Sequence, residues 1–220
     1  MEKLQLKTIL FDMDGVVIDS EKLHLRAMGL TLEQHGIEYS QTFLNDYVGR
    51  SDESFFRYVY ENMDNTHPLE ELLEEKNAFF EGLLNEMEYV KGFTDFIQKV
   101  KTMKLQTALV TSSSLFTVRK VDTLLNLTSF FDLIITEEDT QKHKPDPEPY
   151  LLALENLDAD HRSTLIIEDS INGIVAGKAA GCRVAGLTTS FDAHTLQDAG
   201  ADYIIDDFSE LHIGFFRTVH

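Results

Sequence analysis

Two carboxylates one residue apart, Asp12 and Asp14, close an apolar, β-branched run in the stretch TILFDMDGVVIDSE. Residues i and i+2 of an extended chain point the same way. A strand ending here therefore sets two like charges side by side, and the pair requires a proton, a cation or open solvent. A solvated Asp-Gly turn meets that requirement as well as a chemical site does. Other apolar runs end in polar residues too. Ala108, Leu109 and Val110 lead into Thr111, Ser112, Ser113 and Ser114 ahead of a predicted helix. That pattern is either an anion cradle of hydroxyls and backbone N–H groups or an ordinary N-cap. Lys144 precedes Pro145 in the loop TEEDTQKHKPDPEPY, where the restricted Lys-Pro unit presents one ammonium to a phosphate or simply to water. Leu165, Ile166 and Ile167 lead into Glu168 and Asp169, a second acidic pair. Four carboxylates at strand ends supply hard oxygen ligands for a small divalent cation such as Mg²⁺, with a lysine and hydroxyls beside them for the anion that it bridges.

The elements that must position these groups are legible as alternation. Strand-like runs fall at residues 8–11, 106–110, 133–135, 164–167, 183–187 and 203–205, and segments with helical spacing at 116–126, 147–156, 171–180 and 193–199. Such alternation predicts a doubly wound parallel sheet with helices on both faces. Ligands in such sheets bind beyond the carboxyl ends of the strands, near the point where strand order reverses. Residues 17–87 carry no strand pattern, only helical stretches at 21–35, 51–62 and 69–86, and the interval is too long for one crossover. The expected organisation is an α/β core of residues 1–16 and 88–220 with an inserted α-helical domain at 17–87.

The totals set limits. A chain of 220 residues with 43% hydrophobic and 26% charged side chains suits a globular protein. Its 38 acidic residues against 19 Lys plus Arg give a formal charge of -19, a field that repels nucleic acid and anionic membrane surfaces. An anionic substrate is repelled as well, so a site for one must carry its own positive charge. The single Cys182 forms no internal disulfide, which fits a reducing cytoplasm. No secretory signal or membrane span is visible in the sequence.

In the motifs Asp12-Met13-Asp14-Gly15, Thr111-Ser112, Lys144-Pro145, and Glu168-Asp169 with Ser170 and Gly173, the chain resembles the haloacid dehalogenase superfamily. The resemblance is to its β-phosphoglucomutase-like phosphatases and spans essentially the whole chain, including a helical cap after the first motif. It implies that Asp12 is the nucleophile that becomes an aspartyl-phosphate and that Asp14 is the general acid and then the base. It implies Mg²⁺ held by the Asp12 carboxylate, the Asp14 carbonyl and Asp169, with Glu168 supporting directly or through water. Thr111, Ser112 and Lys144, with Ser113 beside them, are then expected to bind the transferring phosphoryl group. Members acting on phosphonates or halides, or pumping ions, lack an aspartate at position 14, so its presence favours phosphate ester or anhydride cleavage, or phosphomutase action.

The resemblance extends to substrate-side positions of the cap. His24 matches a histidine of the mutases, Gly49 and Arg50 lie in a stretch like their substrate loop, and Lys76 matches a phosphate-contacting lysine. Lys76 in the run EEKN also reads as part of a solvated helix face. The mutases place an arginine where this chain has Asp52, and an acid there repels the second phosphate of a bisphosphate. The expected activity is therefore hydrolysis of a small phosphorylated metabolite, a sugar phosphate, by a monomer whose cap swings. β-Phosphoglucomutase, inorganic pyrophosphatase and a non-catalytic binding module on the same fold are the competing readings.

Overall fold

The computed structural model describes residues 6–48 and 52–211. Gly49 and Arg50, expected on the substrate side of the cap, lie outside the described residues. The chain divides into two compact units, residues 1–19 with 88–220, and residues 20–87.

The first unit is built on six parallel strands: β1 (Thr8–Phe11), β2 (Gln106–Val110), β3 (Leu133–Ile135), β4 (Thr164–Glu168), β5 (Arg183–Leu187) and β6 (Tyr203–Ile205). Their order is β3-β2-β1-β4-β5-β6, so the order reverses at β1. Strand β1 is buried along its whole length, as its unbroken apolar composition demands. Phe11 points to one face, where it meets Phe93 and Phe96 of helix α5 (Phe93–Thr102) edge-on, together with Phe131. Leu10 points to the other face, into a core with Val110, Ile166, Tyr150 and Ile174. The last two come from helices α7 (Glu148–Asn156) and α8 (Ile171–Ala179). Helices α6 (Leu115–Leu125) and α9 (Ala193–Asp198) complete the unit. The expected strands are all present, β4 one residue longer. Helix α5 is an addition, although Phe93, Phe96, Ile97 and Val100 recur at helical spacing.

The second unit contains helices α1 (Glu21–Gln34), α2 (Gln41–Asn45), α3 (Asp52–Asn62) and α4 (Leu69–Leu83). They share a core of Met28, Leu32, Leu44, Phe55, Phe56, Val59 and Leu72. The boundary comes three residues later than expected. Asp19 donates its N–H to the Glu88 carbonyl and Val90 donates to Val17, which keeps 17–19 with the first unit. Among the described residues, no helix is long and apolar enough to cross a membrane.

Lys76 does not lie on a solvated face. Its side chain is 1% exposed, with Nζ 2.7 Å from His24 Nδ1 and ion-paired to Asp52. His24 stacks on Phe80, ring centroids 4.0 Å apart. A buried ammonium is tolerable only with such partners. Asp52→Ala strips Lys76 of its counter-charge and is expected to cost about 3 kcal/mol. Lys76→Met, which removes the charge itself, should cost less. Urea denaturation of the two variants checks that order.

Candidate active site

In-register pairing brings the site together. Phe11 lies opposite Leu109 on β2 and Ile167 on β4, so the residues that follow leave three adjacent strands at one level. Asp12 donates its N–H to the Ile167 carbonyl at 3.1 Å. Asp12, Glu168 and Asp169 thereby offer carboxylate oxygens within 4.8 Å of one another. Lys144 answers them from the loop before α7. Its Nζ donates to Asp12 Oδ1 (2.6 Å), Glu168 Oε1 (2.7 Å) and the Val110 carbonyl (2.9 Å). Three acceptors match the three donors of an ammonium.

The two acids of the second pair differ in their surroundings. Glu168 is wholly buried. Its Oε1 accepts from Lys144 and from the Tyr150 hydroxyl at 2.7 Å. Its Oε2 accepts from the Asp169 and Ser170 N–H groups and from Ser170 Oγ. The carboxylate packs so closely on α8 that a Cβ at Gly173 would lie 1.7 Å from it. Asp169 instead accepts from the Ser190 hydroxyl, while Thr189 Oγ1 donates to the Gly15 carbonyl at 2.6 Å. Gly15 has φ +72°, and a Cβ there would come within 1.9 Å of Asp169 Oδ2. Glycine is thus required at position 15 twice over.

Asp14 accepts from the Ser113 hydroxyl at 2.8 Å, and the Ser113 N–H donates to Thr111 Oγ1 at 2.9 Å. Both Ser113 groups are thus committed within the protein, whereas Ser112 is exposed. The N-cap of α6 is Ser114, which accepts from the Thr117 N–H. Asp12, Asp14, Thr111, Ser112, Ser113, Lys144, Glu168 and Asp169 all belong to the first unit, and His24 and Lys76 meet each other in the second. Tyr150, Thr189 and Ser190 were not among the expected residues. The last two follow β5 and obey the same rule of polar groups at a strand end. Tyr150 reads as core, because only its hydroxyl departs from that role.

Electrostatics separates the acids. Burial pushes the Asp12 carboxyl up to about 7, with Glu168 and Asp14 adding to the rise and Lys144 opposing it. Burial, then Glu168 and Asp12, holds Asp169 well above the carboxylate range. Burial also acts against Glu168, but Lys144 and the surrounding hydrogen bonds outweigh it, and its pKa is lowered. Burial works against the Lys144 charge as well, yet Asp12 and Glu168 hold its pKa well above the ordinary lysine value. One ammonium therefore sits beside a cluster of three buried acids and pairs with only two of them, and Asp12 and Asp169 resist ionisation. An all-oxygen set short of positive charge fits a hard divalent cation.

The family model for haloacid dehalogenase-like hydrolases matches residues 9–187. The validoxylamine A 7'-phosphate phosphatase of Streptomyces hygroscopicus subsp. limoneus is 32% identical, over 94% of this chain and 98% of that protein. The phosphorylated carbohydrates phosphatase of Thermotoga maritima is also 32% identical, over 89% of this chain and 92% of its own. Among solved structures, CbbY of Rhodobacter sphaeroides in complex with xylulose-(1,5)bisphosphate superposes with a TM-score of 0.74 at 26% identity. The match covers 97% of this chain and 100% of that one.

The raised Asp12 pKa has a measurable sign. Folded Asp12 holds its proton up to about pH 7, whereas in the unfolded chain it releases it near 3.8. Between those values the folded state binds more protons, so raising the pH costs stability. A divalent cation that takes the proton's place should raise the melting temperature more at pH 8 than at pH 5. Thermal scans with Mg²⁺ and with a chelator check this, and a shift that is equal at both pH values contradicts it.

Proposed function

The chain belongs to the haloacid dehalogenase-like hydrolase family, as a phosphohydrolase, and from that premise we propose that it is a Mg²⁺-dependent phosphatase of a small sugar phosphate, acting through an aspartyl-phosphate on Asp12. The observation that carries this reading is the buried cluster of Asp12, Glu168 and Asp169, the first two paired to Lys144. Phosphoryl transfer needs positioning and neutralised charge more than covalent assistance from many groups.

In this reading Lys144 holds Asp12 by one oxygen, Oδ1, leaving the other to attack phosphorus. Asp14, oriented by Ser113, gives a proton to the leaving oxygen. It then removes one from the water that cleaves the aspartyl-phosphate. Lys144 also carries charge for the phosphoryl oxygens, with the hydroxyl of Thr111 and the N–H of Ser112 completing the cradle. Asp12, Asp169 and the Asp14 carbonyl would hold Mg²⁺, which supplies Lewis-acid neutralisation of the transferring group. Both oxygens of Glu168 are already occupied by protein donors, so its part is to anchor Lys144.

Two observations support a sugar monophosphate as substrate. By name, one of the 32% identical relatives is a phosphorylated carbohydrates phosphatase and the other a validoxylamine A 7'-phosphate phosphatase. In the helical unit, which serves as the cap in this reading, the Lys76 side chain is 1% exposed and its charge is already paired with Asp52. That leaves it poorly suited to retain a second phosphate, as a mutase must. The lone buried Cys182 fits a reducing cytoplasm.

Asp12→Asn is expected to lower kcat/KM about a thousandfold or more while the protein stays folded. The assay is Mg²⁺-dependent phosphate release from sugar phosphates, nucleotides, phosphoglycolate and pyrophosphate, with sugar monophosphates ranking first. Full activity in the variant contradicts the nucleophile. Conversion of β-glucose 1-phosphate to glucose 6-phosphate faster than phosphate release makes the protein a mutase, and pyrophosphate ranking first makes it a pyrophosphatase.

A further inference from the structure

We propose that Tyr150 is a positioning residue for phosphoryl transfer: through one shared oxygen of Glu168, its phenol fixes where Lys144 presents its ammonium to Asp12. The inference rests on the phosphatase reading and adds to it a residue that none of the four motifs contains.

Tyr150 is fully buried in α7, in the same core as Leu10, Val110, Ile166 and Ile174. A phenylalanine would fill that space equally well. The hydroxyl is what the core does not need, and burying it costs free energy unless it is partnered. Its partner is Glu168 Oε1, the same oxygen that accepts from Lys144. The aromatic face of Tyr150 also lies under the lysine, with Nζ 4.9 Å from the ring centroid. One side chain thus touches both members of the ion pair that orients the nucleophile.

Donor counting shows what the phenol adds. Lys144 spends its three N–H groups on Asp12, Glu168 and Val110. Glu168 Oε2 is fixed by three donors from residues 169 and 170. Oε1 has Lys144 and Tyr150 alone among the bonds described. Without the phenol, Oε1 is held only by the lysine that it is meant to anchor. Oε1 then pulls harder on Lys144 and draws it toward the fixed Glu168 and away from Asp12. Tyr150 has no need to reach the substrate, and its effect should pass entirely through Lys144.

The test is Tyr150→Phe, alone and combined with Lys144→Met. Three quantities are read: kcat and KM on the best substrate, the dissociation constant of inorganic phosphate with Mg²⁺ present, and thermal unfolding by circular dichroism. Tyr150→Phe is expected to stay folded, to lose about tenfold in kcat and to bind phosphate more weakly. In the Lys144→Met background the same change should leave phosphate affinity unaltered, because the coupled group is already gone. Equal losses of affinity in the two backgrounds, kcat within twofold of wild type, or a Tyr150→Phe protein unfolded at the assay temperature would each overturn the proposal. A wild type that neither cleaves phosphoesters nor binds phosphate overturns the phosphatase reading and this inference with it. An active wild type with an unaffected variant overturns this inference alone.

Discussion

Three carboxylates gather at the carboxyl end of a parallel sheet, two of them paired to one buried ammonium, in a protein of formal charge -19. Every group in that cluster is costly to bury, and none would be tolerable alone. Lys144 meets the cost in part: its charge lowers Glu168 but leaves Asp12 and Asp169 raised. The remaining imbalance is the most informative property of the molecule. It asks for a divalent cation and a proton-exchanging partner, and phosphoryl transfer uses both.

The fold serves this cluster by removing freedom. In-register pairing of β1 with β2 and β4 sets Asp12, Val110 and Glu168 at one level. Close packing at Gly15 and Gly173 leaves no room for even a methyl group beside Asp169 and Glu168. The Ser170 hydroxyl caps α8 and at the same time holds Glu168. Rigid backbone thus does what long side chains could not, since each ordered rotamer costs entropy. The helical unit solves a smaller version of the same problem, with Lys76 buried between Asp52 and His24.

Much of this was legible in the sequence because strands and their terminal residues are contiguous. The apolar runs marked the sheet, and the residues after them, Asp12, Thr111, Glu168 and Asp169, marked the end at which its buried polar groups gather. What was not legible depended on contacts between residues far apart in the chain. Lys76 read equally as a phosphate contact and as part of a solvated face in the run EEKN, because its partners stand 52 and 24 residues away. Tyr150 carried no signal of its own because its hydroxyl finds Glu168 18 residues on. Ser113 looked like part of an anion cradle, yet its hydroxyl turns to Asp14, 99 residues earlier. Helix α2 spans only five residues, too few for a helical period to register.

The central claim is that Asp12, rather than water, attacks phosphorus first. Its most direct test is the stereochemical course at phosphorus, using a thiophosphate ester made chiral at phosphorus with two oxygen isotopes and hydrolysed in water carrying the third, so that the thiophosphate released is itself chiral. Attack by Asp12 followed by attack of water inverts phosphorus twice, so net retention is expected. Net inversion would mean a single displacement by water and would contradict it.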